Sequence, residues 1–246
     1  MTEALSLSGV DALYGESHVL HGVSFNLNAG RVLALLGRNG AGKTTCMSAI
    51  VGFLPPRTGE IRLFGEEVSR LKPHQRAHRG LARTYQIITL FPKDSLEHNL
   101  VLSLLGLSKS RWNAFRPLVL YSGLNEEARD VLKRVGLEHL AQRSIGVVSY
   151  GEKRRLEIAM ALAQKPRVLL LDEPFAGLSR EERSAMKELI AGIPREVTLV
   201  MIEHDMDTAL DLAERITVLH YGSIIVEGTR AEVVADPKTR EIYLGD

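Results

Sequence analysis

Residues 37–45 read Gly37-Arg38-Asn39-Gly40-Ala41-Gly42-Lys43-Thr44-Thr45, a run that fits G-x-x-x-x-G-K-[ST]. The flanks narrow the fold further. Arg31-Val32-Leu33-Ala34-Leu35-Leu36 is an apolar run of strand length. Cys46-Met47-Ser48-Ala49-Ile50-Val51 continues as a helix that Gly52 can stop. Strand, glycine loop and helix together are the setting in which this pattern binds phosphate. Gly37, Gly40 and Gly42 let the backbone turn tightly and approach an anion. The loop amides and the positive end of the new helix then face that anion. Lys43 adds a full charge near the terminal phosphates, and the Thr44 hydroxyl can bind magnesium.

The rest of the chain alternates strand and helix patterns, which implies a parallel sheet covered by helices. The first thirty residues read as strands and turns: Leu5-Ser6-Leu7-Ser8 alternates, and Val19, Val23, Phe25 and Leu27 are apolar positions among polar ones. Asn28-Ala29-Gly30 and Pro55-Pro56-Arg57-Thr58-Gly59 read as turns. Glu60 to Gly65 and Leu81 to Ile88 read as strands. From about 90 to 165 helical spacing dominates. There Ala128, Val131, Leu132 and Val135 fall at i, i+3, i+4 and i+7, with Asn125 as N-cap and Gly136 as C-terminal cap. Residues 112–121 carry scattered aromatics and a proline and take no assignment. Strands return at Val168–Leu171, Val197–Ile202 and Ile216–Leu219, separated by helices at Glu181–Ile190 and Asp205–Leu212. Thr229-Arg230-Ala231-Glu232 fits a capping box for one more helix, limited by Pro237.

Composition excludes some classes. Lys and Arg number 31 against 30 Asp and Glu, so a whole-chain attraction to nucleic acid is not indicated. The single cysteine, Cys46, rules out an internal disulfide, fits a reducing compartment and reads as a small buried side chain. No signal peptide opens the chain, and no apolar run approaches the ~18 residues of a membrane helix. The expectation is a chain that is soluble when isolated and can still dock on a membrane protein.

Two further segments carry chemistry. Val168-Leu169-Leu170-Leu171 ends in Asp172-Glu173, two carboxylates at the carboxyl end of a buried strand, where ligand groups gather in parallel sheets. Adjacent acids alone are common at solvated strand ends. Downstream of a P-loop, Asp172 is placed to hold magnesium and Glu173 to accept a proton from an attacking water. Val148-Ser149-Tyr150-Gly151-Glu152-Lys153-Arg154-Arg155 runs into Leu156-Glu157-Ile158-Ala159. Read locally this is a helix capped by Ser149. Its positive end and Gly151 leave a second phosphate site as the alternative to a plain capped helix, which the local pattern favours.

Together these residues resemble the nucleotide-binding subunit of ABC transporters, over essentially the whole chain. Walker A is 37–45, and Walker B is Val168–Asp172 with Glu173 next. Ser149-Tyr150-Gly151-Glu152-Lys153 stands at the family signature, about twenty residues before Walker B. Gln86 matches the Q-loop glutamine, His204 the switch histidine and Tyr14 the aromatic that stacks on adenine. The resemblance implies an α/β fold: a RecA-like parallel-sheet core of P-loop type, an N-terminal antiparallel β subdomain, and a helical subdomain insert. The core is expected over about 1–89 and 166–246, the helical subdomain over about 90–165.

The resemblance also assigns roles. ATP lies between two subunits arranged head to tail, with Ser149 and Gly151 acting in trans on the γ-phosphate. Arg38, Asn39, Gly40, Ala41, Gly42, Lys43, Thr44 and Thr45 cradle the phosphates. Thr44, Gln86 and Asp172 serve the magnesium ion, and Glu173, His204 and Lys43 serve catalysis. A histidine at a strand end is by itself more often an ordinary polar residue. Here its place in the ordered set of motifs gives it the switch role. Partners would be a second ATPase subunit, transmembrane permease subunits and, indirectly, a solute-binding protein, at the cytoplasmic face of the plasma membrane, with no nucleic acid. Tyr150 and Glu152 depart from the usual glycine and glutamine of the signature. That form, and the 81–92 and 242–245 segments, resemble the branched-chain amino acid importer ATPases, although Lys153 departs from that group too. The same ending occurs in ATPases of lipopolysaccharide export. Ser179 stands where many members carry aspartate. A non-transport ABC ATPase acting on DNA or ribosomes is the rival class; such chains often carry two ATPase units or long insertions, and this one has neither.

Overall fold

The computed structural model describes residues 2–84, 90–106 and 122–244. In chain order the elements are β1 (Glu3–Tyr14), β2 (Ser17–Asn28), β3 (Val32–Leu36), α1 (Lys43–Val51), β4 (Thr58–Leu63), β5 (Glu66–Glu67), α2 (Pro73–Ala77) and β6 (Leu81–Arg83). Then come α3 (Leu96–Gly106), α4 (Ser122–Arg134), α5 (Tyr150–Ala163), β7 (Val168–Asp172) and α6 (Arg180–Ala191). The chain finishes with β8 (Thr198–Glu203), α7 (Met206–Leu212), β9 (Arg215–His220), β10 (Ser223–Gly228), α8 (Arg230–Ala235) and α9 (Pro237–Leu244). Contacts divide the chain into two units, one of residues 1–83, 167–173 and 193–246, the other of 84–166 and 174–192.

The first unit holds two sheets. One is antiparallel, in the order β2-β1-β4-β5. The other has the order β10-β9-β3-β8-β7-β6, parallel throughout except for β10. β7 and β8 are buried along their whole length, as expected of parallel strands covered on both faces. In β2, Leu20 is buried with Val23, Phe25 and Leu27, where alternation would place Val19, because the β1–β2 ladder shifts register between Val10 and Leu13. The Asp11 carboxylate pins that irregularity. It accepts from Thr58 Oγ1 (2.5 Å), His18 Nε2 (3.0 Å) and the Gly22 amide (3.1 Å).

The carboxyl end of α1 is closed by an unusual cap. Ser48 O accepts the Gly52, Phe53 and Leu54 amides, leaving the carbonyls of Ala49 and Ile50. Arg76, fully buried, supplies them: its Nη1 donates to both at 2.6 Å, while Nη2 reaches Ser69 O (3.0 Å) and Nε reaches Leu71 O (3.1 Å). A cation at a helix C-terminus also meets the negative end of the macrodipole. Burial pushes the guanidinium down to about 10, so it stays charged at neutral pH.

The second unit packs α3, α4, α5 and α6 around Leu96, Leu100, Leu132, Leu137, Leu156 and Ala159. α4 begins at Ser122, so Asn125 lies inside its first turn and is not the expected N-cap. Its far end does follow expectation. Gly136 has φ 70°, its amide donates to Lys133 O and that of Leu137 to Leu132 O, a Schellman closure. Among the described residues no helix is long and apolar enough to cross a membrane.

Candidate functional site

In the first unit the carboxyl ends of three neighbouring parallel strands gather the chemistry. Leu36 of β3 pairs with Glu203 of β8, and Ile202 pairs with Asp172 of β7. The glycine loop therefore leaves β3 directly beside Asp172-Glu173 and Glu203-His204. This is the strand-end position at which open α/β sheets bind ligands. α1 starts at Lys43 behind Gly42, which holds φ 104° with no side-chain cap, so the first amides of the helix stay available to an anion. Thr44 is exposed and Thr45 half-buried, while Cys46 is buried with its thiol pushed up to about 12 by desolvation.

Lys43 is buried beneath the loop. Its Nζ donates to Gly37 O (2.6 Å) and Arg38 O (3.2 Å). Burial lowers its pKa, and the nearby charges of Glu173, Asp172 and Glu203 oppose that fall. The ammonium thus lies in the field of the three acids at the strand ends. Asp172 is almost fully buried, and its Oδ2 accepts from Arg83 Nη2 at 2.7 Å, an ion pair the sequence did not foretell. Glu173 has φ 46°, a left-handed backbone for a residue with a side chain, and its amide donates to Ile202 O (3.1 Å). Glu203 is buried, with Oε2 3.9 Å from Nδ1 of the half-exposed His204. The turn after His204 is fixed by Asp205, whose carboxylate accepts from the Asp207 amide (3.1 Å) and Thr208 Oγ1 (2.8 Å).

Arg38, Asn39, Gly40 and Ala41 line a cleft of about 330 Å³ together with His220 and Tyr221. The last two belong to the β9–β10 turn, and nothing in the local pattern marked them. They reach the loop because Gly222 donates its amide to Ala41 O (2.9 Å) and accepts from the His21 amide (2.9 Å). Gly222 has φ 76°, and a Cβ there would lie 1.9 Å from Val19 O, so only glycine fits. Tyr14 ends β1 largely exposed. Gln86 lies outside the described residues.

Ser149 and Gly151 fall in the second unit. Ser149 N-caps α5 as expected, in a capping box with Glu152: Ser149 Oγ accepts from the Glu152 amide (3.2 Å), and Glu152 Oε2 from the Ser149 amide (2.6 Å). Tyr150, in place of the usual glycine, is ordered by Arg154, whose Nε donates to the phenol oxygen at 3.1 Å. Ser179 likewise caps α6, its Oγ accepting from the Glu182 amide (3.3 Å). This gives the serine a structural task.

The ABC transporter family profile matches residues 20–176. The chain belongs to this family. Among ABC transporter proteins it is 36% identical, over 98% of both chains, to the high-affinity branched-chain amino acid transport ATP-binding protein BraF of Pseudomonas aeruginosa. It is 33% identical, with the same coverage, to the corresponding protein LivG of Escherichia coli K12. It is also 36% identical to a putative 2-aminoethylphosphonate import ATP-binding protein, PhnT of Salmonella typhimurium, over 97% of this chain and 62% of that one. A nucleotide-free ATP-binding cassette from an ABC transporter superposes with a TM-score of 0.88 at 28% identity, covering 99% of this chain and 100% of the other. An ABC cassette in its ADP conformation gives 0.88 at 29% identity over the whole of both chains. The ABC ATPase fold expected from the sequence is therefore the fold observed, and the chain is an ATP-binding, ATP-hydrolysing transport subunit.

Proposed function

We propose that this subunit binds ATP on the glycine loop, pairs head to tail with a second ATPase subunit, and drives solute uptake through membrane permeases. The observation that carries this reading is the convergence of Lys43, Asp172, Glu173 and Glu203-His204 at the ends of β3, β7 and β8. Phosphoryl transfer to water needs positioning and charge neutralisation more than covalent chemistry. Lys43 and the amides of 38–45 would neutralise the phosphates. Glu173 would take the proton of the attacking water, and His204 would orient that water against the γ-phosphate. Tyr14 would stack on adenine. Ser149 and Gly151 would meet the γ-phosphate held by the other subunit.

Thr44 and Asp172 suit magnesium, joined by Gln86. They are hard oxygen donors, and Asp172 already holds a cationic group, Arg83, at 2.7 Å. When bound, the ion neutralises charge on the terminal phosphates. The solute we propose is a branched-chain or related amino acid, supported by full-length likeness to two transport proteins named for that class. The likeness to a phosphonate importer subunit makes a different small solute the second reading. Location at the cytoplasmic face of the membrane, as a peripheral subunit, follows from the partnership with permeases.

The test is Glu173→Gln. The variant should bind ATP, form a stable dimer with magnesium, and hydrolyse at least about a hundredfold more slowly, the usual range for losing a general base. Wild-type turnover in that variant rejects Glu173 as the base.

A further inference from the structure

The donors assigned to the partner's γ-phosphate already hold an anion of this same chain. Ser149 Oγ donates to Glu182 Oε1 at 3.0 Å, and the Gly151 amide donates to the same oxygen at 2.9 Å. The second oxygen, Oε2, accepts the Ser179 amide at 3.0 Å and closes the capping box of α6. One oxygen thus does local work for α6 while the other reaches across to the start of α5. The approach is close: a Cβ on Gly151 would lie 2.4 Å from Oε1, so the glycine that admits a phosphate also admits this carboxylate. Donors to the charged form keep the group ionised. The Ser179 amide foremost, then Gly151 and Ser149, hold its pKa below the usual carboxylate value against its partial burial.

A phosphate oxygen and a carboxylate oxygen cannot share these two donors. Each donor has one hydrogen to give, and two anions at van der Waals separation repel. We propose that Glu182 is a resident competitor in the signature, displaced only when the γ-phosphate of ATP on the opposing subunit arrives. The inference rests on the trans role given above to Ser149 and Gly151. It makes Glu182 a threshold that ATP must overcome for the dimer to close. ATP brings an anion strong enough to replace the carboxylate. ADP brings none to that place, and the carboxylate keeps the signature filled.

The test uses the full chain in the Glu173→Gln background, with dimer formation followed by analytical ultracentrifugation during titration with MgATP and MgADP. Glu182→Gln keeps an N3 side chain that can complete the capping box but removes the charge. Glu182→Asp keeps the charge one methylene short of the signature. Glu182→Gln should dimerise at an ATP concentration lower by about fivefold, the scale of exchanging a charged for a neutral hydrogen-bond acceptor, and Glu182→Asp, which withdraws the carboxylate, should shift it in the same direction. Neither should gain an ADP-bound dimer, because ADP brings no anion to the vacated donors. An unchanged or higher ATP requirement in both variants overturns the proposal while leaving the head-to-tail reading intact. A parent that stays monomeric in saturating MgATP overturns that reading and the proposal together.

Discussion

Replacing Arg76 by methionine tests how α1 is held. Methionine fills much of the stem volume and removes the guanidinium. It would leave four carbonyls, those of Ala49, Ile50, Ser69 and Leu71, without their present donor. Each buried acceptor stripped of its partner costs about 1–3 kcal/mol. Against that stands the relief of no longer burying a cation, an expense visible in the fall of the Arg76 pKa to about 10. The net should resemble breaking a buried charged contact, about 3–5 kcal/mol. At about 2–4 °C per kcal/mol for a chain of this size, the melting temperature should drop by about 10 °C. Arg76→Lys keeps the charge but loses the fork that serves several carbonyls at once, and should lose about half as much. Thermal unfolding followed by circular dichroism measures both. A methionine variant within about 2 °C of the parent would refute the claim that this side chain secures α1.

Three other outcomes follow from the geometry. Lys43→Ala should weaken ATP binding by about tenfold or more, the scale of losing a hydrogen bond to a charged group; calorimetry showing unchanged affinity contradicts the assigned cradle. Gly222→Ala places a Cβ 1.9 Å from Val19 O and should cost about 1–3 kcal/mol or more; because Gly222 also holds Ala41 O, nucleotide affinity should fall with the melting temperature, and a neutral result on both counts is evidence against that tether. Acid stability should depend on four carboxylates with depressed pKa values among the described residues. Asp11 is held down by Thr58 and then Gly22, Glu182 by the Ser179 amide first, Glu214, against its own burial, by Arg31 and Arg195, and Glu232 by the Thr229 amide and then its hydroxyl. A lowered folded-state pKa stabilises above the unfolded value, so this contribution is complete above the ordinary 3.8 and 4.5 and is lost as pH falls through the folded values. Melting temperature against pH should therefore fall steeply below about pH 4, and Asp11→Asn should flatten that limb.

The parts of this architecture that could be read from the chain are those written in local physics. The glycine loop between an apolar run and a helix, the buried run ending in Asp172-Glu173, and the Ser149 cap each need only a few consecutive residues to declare themselves. What stayed hidden is what the sheet brings together. Arg83 reaches Asp172 because β6 and β7 are neighbours, though the two residues lie far apart in sequence. His220 and Tyr221 border the phosphate loop only through the place of β9 beside β3. The shift from Val19 to Leu20 in β2 escaped a simple alternation count because a bulge resets the period. Glu182 fell inside the helix read at Glu181–Ile190, but nothing local could announce its cap with Ser179 or its bonds to Ser149 and Gly151.

The backbone of Glu173 carries a consequence of its own. At φ 46° an ordinary side chain sits where glycine or asparagine rests more easily, at a cost of about 1–3 kcal/mol. A search for sturdier variants would therefore be drawn to Glu173→Gly and Glu173→Asn, and each would relax the chain while discarding the carboxylate. Under the role proposed for Glu173, this acid in the field of Lys43 is thus a place where durability and turnover pull in opposite directions.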